Sequence, residues 1–119
     1  MALYGASPVS TQRHPITHWV TFRGESTPTV RSSGNVSSIT DRGTGYFGVN
    51  FSTSMPDLNY CIFGNTIKGD LNNDGNAVLC AGGCDGSIEI YTGSCNVRTK
   101  VASNNDSQDA QYSHVAFTH

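Results

Sequence analysis

The stretch "DRGTGYFGVNF", Asp41–Phe51, decides between two kinds of protein. Gly43, Gly45 and Gly48 stand at G-x-G-x-x-G, the spacing with which a dinucleotide-binding turn brings its backbone against a pyrophosphate. Such a turn must follow a strand and open a helix, because the helix N-terminus holds the phosphates. Here Gly48 leads into Val49, Asn50 and Phe51, which read as strand. Phe47, Val49 and Phe51 recur at every second position and so share one face. Gly43 and Gly45 supply positive φ angles, making "DRGTG" the turn between "NVSSIT" and "YFGVNF". The glycines serve a β fold, and no cofactor is expected.

The rest of the chain repeats this texture. Short runs of Val, Ile, Phe and Tyr are punctuated by Gly, Asn, Asp and Pro, and no segment keeps a capped 3.6-residue apolar period. Nine strands are expected: "THWVTFR" (17–23), "TVRSS", "NVSSIT", "YFGVNF", "NYCIFG", "NAVLCA", "SIEIYTG" (87–93), "NVRTKVA" and "YSHVAFT". In "SIEIYTG", Ile88 and Ile90 fall on one face and Ser87, Glu89 and Tyr91 on the other. "NNDGN" and "GGCDG" place Asp-Gly pairs where hairpins need them, and a meander is the simplest topology. The fold class is all-β, a small antiparallel β-sandwich resembling a jelly-roll knob. Trp19, five Phe and five Tyr supply its core. Residues 1–16, with Pro8 and Pro15 and little periodicity, read as an extended N-terminal attachment arm, and residues 17–119 as the sandwich domain.

Composition narrows the partners. With 119 residues the chain forms one domain around one modest core. Seven Lys and Arg against nine Asp and Glu give a formal charge of −2, which attracts neither nucleic acid nor an anionic membrane. No apolar run is long enough to cross a bilayer, and no basic, apolar leader follows Met1, so synthesis in a cytosol is expected. Cys61, Cys80, Cys84 and Cys95 are then expected to be reduced, although four cysteines permit two disulfides in three connectivities. The N-x-S sequons at Asn35, Asn50 and Asn105 are idle outside a secretory pathway.

Few residues sit in patterns that carry chemistry. "GDLNNDGN" holds Asp70, Asn72 and Asp74 at alternating positions before Gly75, the oxygen spacing of a calcium loop. The twelfth position is Ala81 rather than a carboxylate, and flanking helices are missing, so only weak calcium binding by a free-standing turn is open. His14 and His18 lie about 13 Å apart along a strand, too far to share zinc. Cys80 and Cys84 lack a second close pair. No Ser occupies a G-x-S-x-G elbow. A glycan-active enzyme would need paired carboxylates, and Asp70, Asp74, Asp85 and Glu89 are the clustered candidates; loop chemistry already explains them. No catalytic residues are assigned.

The run from Trp19 to Gly64, "WVTFRGESTPTVRSSGNVSSITDRGTGYFGVNFSTSMPDLNYCIFG", resembles a β-domain common at the C-terminal ends of tail-fibre proteins of marine and cyanobacterial phages. The likeness rests on the Trp19, Phe22 and Gly24 opening, "NVSSITDRGTG" at 35–45, "VNF" at 49–51 and "MPDLNY" at 55–60. The second half is looser, with "YSHVAFTH" similar to the family's terminal strand. Gly48 replaces a frequent Thr, and the usual Asp after the second turn glycine is missing.

The resemblance implies a non-enzymatic virion structural protein, assembled in a bacterial cytoplasm as a homo-oligomer, most simply a trimer. Only eighteen residues precede Trp19, so a capsid decoration or short tail or fibre appendage is expected, with the arm docking on other virion proteins. Leu3, Tyr4, Pro8, Arg13 and His14 are its candidate contacts. The alternative is a receptor-binding knob that touches host-surface glycan through loop residues such as Asn72, Asp74 and Asp85, with exposed aromatics beside Asn and Asp at one end of the sandwich.

Overall fold

The computed structural model describes residues 15–67, 77–83, 86–101 and 107–119. Within them the chain forms eight strands and no helix: β1 (Ile16–Arg23), β2 (Thr29–Gly34), β3 (Val36–Gly43), β4 (Tyr46–Phe51), β5 (Cys61–Ile67), β6 (Ala77–Ala81), β7 (Ser94–Val101) and β8 (Tyr112–Thr118). They build two four-stranded antiparallel sheets, β2-β1-β8-β5 and β3-β4-β7-β6. The expected all-β sandwich is what the chain forms.

Alternation places the core between the sheets. Val20 and Phe22 of β1 and Val115 and Phe117 of β8 point inward from one sheet; Phe47, Val49 and Phe51 of β4 and Cys95 and Val97 of β7 point inward from the other, all buried. Phe51 packs edge-on against Phe117, with ring centroids 4.9 Å apart, and Tyr60 stands edge-on to both. His18, also buried, completes this end through an edge contact with Phe51 and a 2.6 Å hydrogen bond between Nε2 and the Thr53 carbonyl.

The turn at "DRGTG" forms as expected: β3 and β4 are hydrogen-bonded neighbours, with Gly43 and Gly45 at φ 145° and 62°. A second corner carries the chain from the first sheet to the second. It turns on Asn35, at φ 56°, whose amide donates to the Thr17 carbonyl at 2.7 Å. Asn tolerates this left-handed conformation because its short side chain can bond locally.

Four expectations are corrected. The sheet order is no meander: β1 sits between β2 and β8, which brings the two ends of the described chain together. No tight hairpin joins the strands that flank "NNDGN" or "GGCDG", although all of the first segment and Cys84 and Asp85 of the second lie outside the described residues. The strands on either side of the first, β5 and β6, belong to different sheets, and twelve residues separate β6 from β7. "SIEIYTG" is not a strand, and among the described residues its ladder contact is the Ile90–Cys95 bridge. The cause lies just upstream, where Gly82, Gly83 and Gly86 all have positive φ and the chain doubles back so tightly that a Cβ on Gly83 would lie 1.8 Å from the Ser87 carbonyl oxygen. Its alternation survives in part, for Ile90 packs on the core and Glu89 faces away, while Ile88 is exposed. Finally, Trp19 is 39% exposed rather than in the core, because Val20 and Phe22 take the inward phase of β1.

Candidate functional site

The outer face of the β2-β1-β8-β5 sheet holds a trough of about 530 Å3, a volume suited to a small ligand. Cross-strand register builds it in rows. Trp19 of β1 and Phe63 of β5 both pair with Ala116 of β8, so two large aromatic groups flank one methyl group. Two strand spacings, about 10 Å, separate their backbones. In the next row Thr21 and Asn65 flank His114, and His114 Nδ1 lies 3.1 Å from Thr21 Oγ1. Ile16 closes one end.

Two glycines shape the walls. Gly34 pairs with Trp19 across β1 and β2, and a Cβ there would fall 2.3 Å from the indole Nε1; the ring lies directly over the space that glycine leaves. Gly64 pairs with Val115, and a Cβ on it would fall 1.9 Å from the His114 carbonyl oxygen. Only glycine lets β5 sit this close to β8 and carry Phe63 and Asn65 to the rim.

Beyond the His114 row lies a short aromatic stack. The Tyr112 and His114 rings are parallel within 2° at 6.4 Å, and the Arg31 guanidinium sits 4.4 Å over the Tyr112 ring. The four strands of this sheet contain no Asp or Glu. Their two arginines are Arg23, paired with Glu25 at 3.3 Å, and Arg31.

A polar cluster occupies the opposite sheet. Glu89 accepts hydrogen bonds from the Tyr46 hydroxyl, from Asn96 Nδ2 at 3.3 Å and from Arg98 Nη2 at 3.5 Å, and the Arg98 guanidinium lies 3.7 Å over the Tyr46 ring. The Tyr46 hydrogen bond leads in holding the Glu89 carboxyl below its ordinary pKa, and the same bond raises the Tyr46 phenol. Every oxygen of the carboxylate is engaged with a neighbour, so the cluster reads as a clasp that fixes residues 89–91 against β7.

The arm candidates Leu3, Tyr4, Pro8, Arg13 and His14 lie outside the described residues, as do Asp70, Asn72, Asp74 and Asp85, so neither the calcium turn nor the glycan loops can be placed. Among the described residues no three His, Cys, Asp or Glu side chains gather as metal ligands would. The cysteine expectation is corrected at one position: Cys80 is disulfide-bonded, while Cys61 and Cys95 are free. Sequence reasoning missed the Trp19, Phe63, His114 and Asn65 surface. Its signal was present in part, because once Val20 and Phe22 are assigned to the core, Trp19 must face outward. No family model, curated protein or solved structure matches this chain.

Proposed function

We propose that this chain is a non-enzymatic structural component of a phage particle, a capsid decoration or short tail or fibre appendage, whose β-sandwich knob binds a host-surface glycan through the trough on the β2-β1-β8-β5 sheet. The virion assignment rests on the resemblance of residues 19–64 to tail-fibre domains, and attachment is assigned to residues 1–16. One observation favours receptor binding over decoration alone: Trp19 and Phe63 stand exposed on either side of Ala116, beside Asn65, Thr21 and His114. Sugars suit such a surface, because their C–H faces pack on aromatic rings while hydroxyl groups exchange hydrogen bonds with amide, hydroxyl and imidazole groups. The aromatic groups lie on a sheet face.

The deciding experiment is a glycan array probed with the full chain and with Trp19→Ala and Phe63→Ala. Binding that both substitutions abolish supports the reading. No binding to any glycan, together with particle images in which this sheet is buried among coat subunits, would refute it and leave a decoration protein. Native mass spectrometry of assembled material tests the trimer.

A further inference from the structure

We propose that the ligand of the trough is an acidic oligosaccharide, a sugar chain bearing a carboxylate, and that Arg31 reads the charge. This rests on the glycan-binding reading above and adds the chemical class of the sugar. The first argument is charge complementarity. The four strands carry two arginines and the outward-facing His114 but no acidic residue, although acidic residues outnumber basic ones in the chain as a whole. Glu25, just past the end of β1, is held by Arg23. An anionic ligand on this sheet therefore meets no fixed negative charge along the strands.

The second argument is the state of Arg31. It is exposed, and it occupies the irregularity between β1 and β2, where Ser32 pairs with Thr21 and Val30 with Phe22. The extra residue directs its side chain over Tyr112, two strands away, where the guanidinium stacks at 4.4 Å. Stacking covers one face of the guanidinium and leaves the N–H donors at its edge, the part that bonds a carboxylate in a two-pronged manner. A guanidinium already held by its ring loses less freedom when the anion arrives.

The third argument is spacing, and it makes the proposal specific to a chain of sugars. Tyr112 and Ala116 are four residues apart on β8, about 13 Å along the strand, with the His114 row between them. A single ring held between Trp19 and Phe63 cannot also reach Arg31. The acidic unit is therefore a neighbour of the stacked ring, and the His114, Thr21 and Asn65 row lies under the connection. An isolated acidic monosaccharide would bind poorly.

The test is titration calorimetry of the full chain with polyuronate and sialylated tetrasaccharides, with neutral tetrasaccharides of the same length, and with glucuronic acid alone. The expected result is that an acidic tetrasaccharide binds on the order of tenfold more tightly than its neutral counterpart. Arg31→Gln should remove that preference and leave neutral affinity unchanged, and added salt should weaken only the acidic ligand. Phe63→Ala should weaken both. Equal binding of acidic and neutral chains, or an Arg31→Gln effect common to both, overturns the charge assignment while the glycan reading stands. Silence toward every sugar overturns both, as does a Trp19-dependent dimer in sedimentation without a sugar response, which would give this face to a second copy of the chain.

Discussion

If Glu89 clasps residues 89–91 onto the second sheet, Tyr46→Phe and Glu89→Gln must be energetically coupled. The segment is also tied down at Tyr91, whose amide donates to the Ser94 carbonyl at 2.9 Å and whose carbonyl accepts from the Tyr60 hydroxyl at 2.9 Å. Its backbone contributes the Glu89 amide bond to the Gly82 carbonyl at 2.8 Å and the Asn96 amide bond to the Glu89 carbonyl at 3.1 Å, and Ile90 covers the core edge. The Glu89 and Arg98 side chains are only 13% and 18% exposed, so solvent screens them less than a surface pair. A hydrogen bond to a charged group contributes about 1.5–3 kcal/mol, against about 0.2–1 kcal/mol for an exposed ion pair. Glu89→Gln should then cost about 2–3 kcal/mol, Tyr46→Phe about 1–2 kcal/mol, and the double substitution about 1 kcal/mol less than their sum. At this chain length that lowers Tm by about 4 °C per kcal/mol.

The pH dependence follows from the same bonds. The Glu89 carboxyl is held below its ordinary pKa of 4.5, so its contribution is complete above that pH and is lost as pH falls through the lower folded value. Tyr46 is raised above 10.0, so its contribution is complete below that pH and is lost as pH rises through the higher folded value. Urea unfolding of the four proteins between pH 3 and pH 7 tests the carboxylate. A coupling under about 0.3 kcal/mol, or a Glu89→Gln deficit that stays constant down to pH 3, would refute the clasp.

Other outcomes follow from the core, the cysteines and the glycines. Phe117→Ala removes a fully buried ring that touches Phe51 and Tyr60, and urea titration should show a loss of about 3–5 kcal/mol. Cys61 is exposed and should react with a thiol reagent in the native protein. Cys95, whose thiol burial pushes up to about 12, should react only on unfolding. Gly64→Ala meets backbone at the His114 carbonyl and should cost about 1–3 kcal/mol in urea unfolding. Gly34→Ala meets the Trp19 indole first, so it should change Trp fluorescence and sugar binding while costing less in unfolding midpoint than Gly64→Ala.

Local pattern revealed the strands well and their neighbours poorly. "YFGVNF" matches β4 at both ends, because Phe47, Val49 and Phe51 state the inward phase and the glycines before them state the turn. Eight of the nine expected runs are strands, although β2 buries none of its side chains and shows no inward phase. The ninth, "SIEIYTG", had the right alternation but follows three glycines whose positive φ angles consume the length a ladder needs. Pairing between β1 and β8 leaves no such local trace. Thr21 and His114 are 93 positions apart, and no short-range periodicity announces that they share a hydrogen bond.

The trough depends on that long-range adjacency, which no single stretch of the sequence displays. Trp19, Ala116 and Phe63 belong to three segments that read separately as ordinary alternating strands. Their meeting requires β8 to lie between β1 and β5. Gly34 and Gly64 also look like strand-weakening residues when read alone. Once the order is known their roles differ: one clears space for the indole, the other lets an edge strand close on its neighbour. Gly34, at the end of β2, accepts the entropy cost of glycine in the outward row of Trp19, Ala116 and Phe63, whereas Gly64 pairs with Val115 in the inward row beside it. Core packing alone would not require the gap at Gly34, since the indole that fills it faces away from the core, and that is the physical reason to look for a ligand on this sheet.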